Sequence, residues 1–324
     1  MAAATENWSA QVAQNGDANE RISGLQETAH ALADRLPDLL IDARRISQTV
    51  AHGIHGRRRS GPGETFWQFR TYESSDSAQL IDWRRSASSD HVYVREREWE
   101  AAHTVWVWSD LSASMDFNSH LSSVTKRDRA IVLMLAAAEL LVRGGERVGL
   151  MGLTQPSGSQ KIATLLSEAI VANAASPLMT KSRPPQQQIP RHSEVLLFGD
   201  FLAPIPALRE RIETLAGAGA RGHIVQIFDP AEETLPYAGR TEFTDPSGRE
   251  RYIADRAESL REEYQQRLAD HRAQLEEFTQ RLGWSFMVHH TDRPPTEPLL
   301  TLVMRLAGEM GVTYRTETNA EAAP

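Results

Sequence analysis

The chain has 324 residues, a formal net charge of −8 and no cysteine. The lack of cysteine excludes disulfides, thiolate metal ligands and cysteine nucleophiles, and it suits a reducing compartment, so we expect a cytoplasmic protein. The N-terminus has no signal-peptide pattern, and the longest apolar run, Ala130–Val142, is shorter than the roughly 20 residues that span a bilayer, so we expect no membrane segment. The negative charge disfavours nucleic acid, which leaves proteins as the expected partners.

Residues 1–50 are predicted to form a tail followed by helices. Apolar side chains recur at helical spacing from about Asp17 to Val50. Pro37 interrupts this pattern, and proline disfavours helical geometry in the residue before it. We therefore predict two consecutive helices that break near Leu36 and pack on the main body.

Residues 51–101 are predicted to be a small β-rich segment. Phe66–Tyr72 and Val92–Trp99 have strand-like composition, and they flank Ile81–Ala87. Their aromatic residues could stack on nucleic-acid bases, but aromatic side chains at strand spacing more often belong to a core.

A basic loop precedes these strands. Its glycines and proline leave Arg57, Arg58 and Arg59 exposed, and we take these arginines as candidate partner-binding residues. Residues 51–100 contain as many acidic residues as arginines, which favours ion pairing over phosphate binding. His52 and His55 lack a third metal ligand nearby, which favours an exposed-loop role for both.

Residues 102–310 alternate between predicted strands and helices, which is typical of an α/β domain with a mostly parallel sheet flanked by helices. A polar tail, residues 311–324, follows. The predicted strands are Val105–Trp108, a hairpin edge formed by Arg147–Thr154 and Lys161–Leu165, then Glu194–Asp200, His223–Asp229 and Trp284–His290. The predicted helices are Lys126–Arg143, Ala207–Ala218, Ile253–Leu282 and Glu297–Glu309.

Three of these strands lead into an aspartate at or just after their last residue: Asp110, Asp200 and Asp229. Ligands of open α/β sheets bind at the carboxyl ends of strands, where neighbouring connections diverge. Asp110 is followed by Ser112 and Ser114, and such hard oxygen ligands suit Mg²⁺ or Mn²⁺. The alternative is a loop or helix cap without a metal. Asp229 ranks below Asp200 because we expect it to lie one strand farther away.

The sequence resembles the bacterial domain-of-unknown-function family 58, whose members carry a von Willebrand factor type A-like domain. The resemblance lies in Gly61–Tyr72, Ile81–Ala87, Asp110–Met115 and Phe198–Asp200. Where family members commonly have Gly-Asp after the tyrosine, this chain has Glu73–Asp76, which matches only in the aspartate.

The resemblance implies a Rossmann-like fold and a metal-ion-dependent adhesion site. The site residues that it implies are Asp110, Ser112, Ser114 and Asp200, together with a threonine from another loop. Thr154, Thr164 and Thr180 are candidates for the threonine, and none lies in a motif that decides between them.

The leading functional hypothesis is a non-enzymatic adaptor, in which the metal binds an acidic side chain of another protein. The resemblance implies a MoxR-type AAA+ ATPase as partner, with this chain coupling it to a client. The chain lacks a phosphate-binding loop of its own. The second hypothesis is a metal-dependent hydrolase or phosphotransferase that uses Asp110 and Asp200, although no positioned acid or base is evident. Nucleic-acid binding through Arg57, Arg58 and Arg59 ranks third.

Overall fold

A computed structural model describes residues 31–51, 66–72, 81–87, 89, 91–97, 103–174, 176, 181–245 and 250–306. The chain divides into two compact units, a small one from Gly53 to Ala102 and a large one that contains the rest. Several residues singled out in the sequence lie outside the described residues: His52, His55, Arg57, Arg58, Arg59, Glu73–Asp76 and Thr180.

The small unit contains the two predicted strands, which pair antiparallel. Strand β1 (Phe66–Thr71) pairs with β2 (Tyr93–Arg97), and the short helix α2 (Trp83–Ser86) lies between them in the chain. The Asp82 side chain caps α2 by accepting a hydrogen bond from the Arg85 N–H at 3.0 Å.

The large unit contains a five-stranded sheet in the order β4-β3-β5-β6-β9, and every neighbouring pair is parallel. This confirms the predicted α/β class and is consistent with a Rossmann-like fold. Parallel neighbours need crossover connections, and helices provide them here. The strands are β3 (Thr104–Ser109), β4 (Arg147–Leu150), β5 (Glu194–Gly199), β6 (Arg221–Phe228) and β9 (Ser285–His290).

Helices cover both faces of this sheet. Trp106 and Trp108 of β3 belong to a buried cluster with side chains of α5 (Ile205–Gly217) and α7 (Arg261–Arg281). Successive strand side chains point to opposite faces, so Val105 and Val107 face the other side, where α3 (Lys126–Arg143) packs along the sheet. The Thr125 side chain caps α3, which ends at Arg143, directly before Gly144, as predicted.

The predicted hairpin edge is wrong in its second strand. Lys161–Leu165 does not form a strand, because residues from Ile162 onward form helix α4 (Ile162–Asn173). Ile162, Leu166 and Ile170 are buried at helical spacing, a period that a five-residue window cannot distinguish from a strand. The antiparallel edge is reduced to one bridge, in which Val148 and Ser157 exchange backbone hydrogen bonds of 3.0 and 2.9 Å.

The predicted break near Leu36 is also wrong. Residues 31–51 form one helix, α1, which continues through Pro37. Leu32 and Leu36 precede the proline, Ala43 follows it, and all three are buried, so packing on both sides offsets the roughly 3 kcal/mol that an interior proline costs. The Ser47 hydroxyl of α1 donates to Glu139 Oε2 of α3 at 2.7 Å.

The predicted long helix begins later than expected. Ile253 lies in strand β8 (Arg251–Ala254), which pairs with β7 (Thr241–Thr244) in an antiparallel hairpin that the sequence analysis missed. Helix α6 (Pro230–Thr234) precedes this hairpin, and α8 spans residues 296–306. None of the helices in the described ranges is long and apolar enough to cross a membrane.

Candidate functional site

The candidate site lies at the switch point of the sheet. After β3 the chain crosses through α3 to β4 on one side, whereas β5 occupies the other side of β3. Asp110 directly follows β3 and Asp200 directly follows β5, so the two carboxylates end adjacent strands. Side chains of other loops can reach this crevice, and open α/β sheets bind their ligands there.

Asp110 is fully buried, and among the described residues only one of its carboxylate oxygens has a hydrogen-bond partner. Its Oδ1 atom accepts a hydrogen bond from the Ser112 N–H at 2.8 Å, whereas its Oδ2 atom is buried and has no hydrogen-bond partner in the described part of the chain. Burial, together with the nearby negative charge of Asp200, raises the pKa of Asp110 to about 7. A nearby positive charge would therefore favour the ionised form of Asp110.

The two serines lie together on the loop after β3. Ser112 Oγ and Ser114 Oγ are 3.1 Å apart, and Ser114 belongs to a short 3₁₀ helix, Ala113–Met115. Arg127 of α3 supports this loop, because its guanidinium donates to the Ser112 carbonyl oxygen at 3.3 Å and lies 3.3 Å from the Asp116 carboxylate. The loop geometry is therefore held from the first turn of α3.

Asp200 can approach Asp110 because β5 ends in glycine. A Cβ atom at Gly199 would lie 2.9 Å from the Asp110 Cβ, so a larger residue would push the two loops apart. The Asp200 Oδ1 atom accepts from the Leu202 N–H at 3.3 Å, and the Asp200 carbonyl accepts from the Gln226 amide at 2.8 Å. The structure thus brings the four predicted ligands, Asp110, Ser112, Ser114 and Asp200, to one edge of the sheet.

The structure adds Lys126, which the sequence analysis did not single out. Its ammonium group lies 3.1 Å from Asp200 Oδ2 and 2.6 Å from Glu232 Oε1, and the residue is completely buried. Burial acts to lower the pKa of Lys126, but the Asp200 and Glu232 charges outweigh it and raise this pKa. The rings of Phe117 and Phe228 also lie near the ammonium, with centroids at 6.0 and 5.8 Å.

Two sequence signals could have indicated this ion pair. Lys126 is the first residue of α3, where the helix dipole disfavours a cation, so an acidic partner nearby is favoured. Asp229 and Glu232 have the spacing of a capping box, which forms at the start of α6 and fixes Glu232 beside the end of β6. Neither signal identifies Asp200 as the second partner.

Asp229 is committed to structural contacts. Its Oδ1 atom accepts from the Ser119 hydroxyl at 2.6 Å and from the Ala231 N–H at 2.8 Å, and its Oδ2 atom accepts from the Ser119 N–H at 2.8 Å. Asp229 therefore caps α6 and ties down the loop that contains Ser119.

The two described threonine candidates also have other contacts. The Thr154 hydroxyl accepts from the Leu150 N–H at 2.8 Å, after β4. The Thr164 hydroxyl lies in α4 and accepts from the Arg44 guanidinium at 3.0 Å.

The side chains at Asp110 fit a divalent cation. The Asp110 Oδ2 atom, which has no hydrogen-bond partner within the described ranges, and two adjacent hydroxyls offer the hard oxygen ligands that Mg²⁺ and Mn²⁺ prefer. Within the described ranges, no group of three or more His, Cys, Asp or Glu side chains is arranged to hold a metal ion. A cation at this site would therefore depend on the serine hydroxyls and on water in addition to Asp110 and Asp200.

The fold and the position of these residues define an α/β protein with a Rossmann-like parallel sheet and a polar cluster at its switch point. Residues 68–274 match the family described as "Protein of unknown function DUF58", and this match covers more than half of the chain. The chain therefore belongs to the DUF58 family.

The chain is similar to uncharacterized proteins of mycobacteria. Rv1480 of Mycobacterium tuberculosis is 27% identical over 282 residues, which cover 81% of this chain and 86% of that protein. The uncharacterized protein Mb1516 of Mycobacterium bovis matches with the same identity and coverage.

Two solved structures show a weaker likeness. The conserved hypothetical protein BatB from Bacteroides thetaiotaomicron has 14% identity and a TM-score of 0.36, and the alignment covers 64% of this chain and 100% of that chain. An aerotolerance-related membrane protein from Bacteroides fragilis has 16% identity and a TM-score of 0.36, with coverage of 61% and 96%.

Proposed function

We propose that this chain is a non-enzymatic protein-protein interaction module with a von Willebrand factor type A-like site. Asp110, Ser112, Ser114 and Asp200 would hold Mg²⁺ or Mn²⁺ at the switch point of the sheet. The bound cation would supply an open coordination position for an acidic side chain of a partner. The observation that supports this proposal most directly is the buried Oδ2 atom of Asp110, which has no partner in the described part of the chain and lies beside Asp200.

The chain's own residues prepare this site in three ways. The Ser112 N–H holds one Asp110 oxygen and leaves the other available. Gly199 permits the close approach of the two strand ends, and Arg127 fixes the serine loop through the Ser112 carbonyl. Such a rigid constellation is what recognition of a single acidic side chain needs, since little conformational entropy is then lost on binding.

The proposed partner is a MoxR-type AAA+ ATPase, with this chain coupling the ATPase to a client protein in assembly or chaperone-like tasks. This part of the proposal rests on analogy within the resembling family rather than on a contact in the structure. A cytoplasmic location also remains a prediction.

The proposal is tested by a binding experiment with the purified full chain and a purified MoxR-type ATPase. We expect binding in Mg²⁺ to weaken at least about tenfold in EDTA, and to weaken equally for Asp110→Asn, because the open coordination position is lost in both cases (about 1.4 kcal/mol per tenfold). Surface plasmon resonance with the full chain immobilised would measure this.

A matched control is Glu213→Gln, which removes an exposed acid of α5 away from the strand ends. This variant should bind like the wild type in both buffers. Equal binding in Mg²⁺ and EDTA, with Asp110→Asn indistinguishable from the wild type, would sink the metal-dependent role.

A further inference from the structure

Lys126 already occupies one side of the proposed metal site. Its ammonium contacts the Oδ2 atom of Asp200 at 3.1 Å, and Asp200 is one of the two carboxylates that would bind the divalent cation. Both residues are almost fully buried, so water screens their interaction with a metal ion far less than it would at the surface. A divalent cation bound by Asp110 and Asp200 would therefore lie close to the positive charge of Lys126, which contacts the same Asp200 carboxylate.

Glu232 gives the lysine a second partner that does not belong to the metal site. The Glu232 Oε1 atom lies 2.6 Å from the Lys126 ammonium, while its Oε2 atom accepts from the Asp229 N–H at 3.0 Å. The capping box thus holds Glu232 in place. If Lys126 gave up its contact with Asp200, it would keep this shorter contact and remain paired in the interior, where an unpaired charge is costly.

We propose that Lys126 is a tethered cation that competes with the divalent metal for Asp200 and moves fully to Glu232 when the metal binds. This inference rests on the proposed metal site and makes Lys126 the residue that sets its affinity. The lysine then weakens metal binding by the chain alone, and an additional ligand, such as a partner's carboxylate, strengthens it. Metal binding and partner binding are then coupled, because the partner's carboxylate adds a ligand to a metal ion whose binding the lysine opposes.

The proposal is tested by measuring Mn²⁺ affinity, by electron paramagnetic resonance, for the full chain and a set of variants. The main variant is Lys126→Met with Glu232→Gln, which removes the competing cation and also its second acid, so that no new unpaired charge remains at Glu232. We expect this double variant to bind Mn²⁺ at least about tenfold more tightly than the wild type, a change of about 1.4 kcal/mol.

Two single variants sharpen the test. Glu232→Gln alone should weaken Mn²⁺ binding several-fold, because the lysine then has only Asp200 as an anionic partner. Lys126→Arg keeps a cation at this position and should not bind Mn²⁺ more tightly than the wild type. Circular dichroism and thermal unfolding test whether each variant keeps the fold. If the double variant does not fold, Glu232→Gln, which retains the buried lysine, still tests the proposal.

The outcomes separate this inference from the proposed function. If the wild type binds Mn²⁺ and neither the double variant nor Glu232→Gln changes the affinity, the role of Lys126 is overturned and the metal site stands. If no variant binds Mn²⁺ at millimolar concentration, both the metal site and the role of Lys126 are overturned. Tighter binding by the double variant together with weaker binding by Glu232→Gln supports the tethered cation.

Discussion

Asp110→Asn is expected to raise the unfolding free energy of the metal-free protein by on the order of 4 kcal/mol at pH 8. The pKa of Asp110 is raised from 3.8 to about 7 in the folded protein, and each pH unit of such a difference corresponds to about 1.4 kcal/mol. Between these pKa values the folded state binds more protons than the unfolded state, so the stability of the wild type falls as pH rises through this window. Asparagine cannot ionise and avoids this loss.

The expected gain therefore depends on pH. At pH 4 Asp110 is largely protonated in the folded wild type, and the two proteins should differ by less than about 1 kcal/mol. The asparagine Oδ1 can keep the hydrogen bond from the Ser112 N–H, so the loop geometry should be retained. Urea unfolding in EDTA at pH 4, 6 and 8 would measure the difference, and a constant difference across this range would contradict the assignment of the effect to Asp110 ionisation.

Addition of a divalent cation should narrow this difference in stability. A ligand that binds only the folded state stabilises it in proportion to the logarithm of its concentration above Kd, and Asp110→Asn removes a ligand. We therefore expect Mg²⁺ to raise the Tm of the wild type at pH 8 and to leave that of the variant unchanged. In the metal-free protein, the carboxylate that would bind the cation therefore lowers the stability of the fold.

Gly222→Ala is expected to destabilise the protein by about 3 kcal/mol or more. A Cβ atom at Gly222 in β6 would lie 2.1 Å from the Trp284 Cε3 atom, and two further ring atoms would lie within 2.3 Å. The ring has little room to move, because it is buried in the cluster with Leu275 and its indole N–H donates to the Ala220 carbonyl at 3.2 Å. Urea unfolding at pH 7 measures the loss.

Gly217→Ala is the matched control for this substitution. Gly217 is the exposed last residue of α5, and a Cβ atom there has no neighbour within 4 Å. Alanine is favoured over glycine in helices by roughly 0.5–1 kcal/mol, so this variant should be slightly more stable than the wild type. If the Gly222→Ala protein were as stable as the Gly217→Ala protein, this would contradict the close packing of the Trp284 ring against Gly222 of β6.

The parallel sheet could be predicted because its strands carry local signals. Val105 and Trp106 begin an apolar run that ends abruptly at a polar loop, and the runs before Asp200 and Asp229 repeat this design. Helix α3 was predicted with its observed bounds, since it combines apolar residues at helical spacing with a glycine directly after its last residue. Such signals lie within one element and do not depend on distant contacts.

The errors arose where local patterns are compatible with two structures. The apolar spacing of α7 extends upstream through Ala257 and Ile253, although these residues lie in a 3₁₀ helix and in β8. Lys161–Leu165 was too short to reveal a helical period. At Pro37, burial of leucines from both sides outweighed a local preference that the sequence shows clearly.

The candidate site was predictable only in part. That Asp110 and Asp200 lie on neighbouring strands follows from the order of elements in an α/β sheet. The ion pair between Lys126 and Asp200 joins residues 74 positions apart, and the contact with Glu232 spans 106 positions. Contacts of this range depend on how α3 and α6 are placed on the sheet, which no periodicity in a single sequence encodes.

The position of α1 has a practical consequence for dividing the chain. The large unit contains the residues up to His52 and those from His103 onward, so the small unit is an insertion between α1 and β3. Ser47 of α1 is buried and bonded to Glu139 of α3. A fragment that started at β3 would lose the Ser47 hydroxyl that donates to the buried Glu139 carboxylate. Deletion of the inserted segment, with α1 linked to β3, is the division that keeps this core intact.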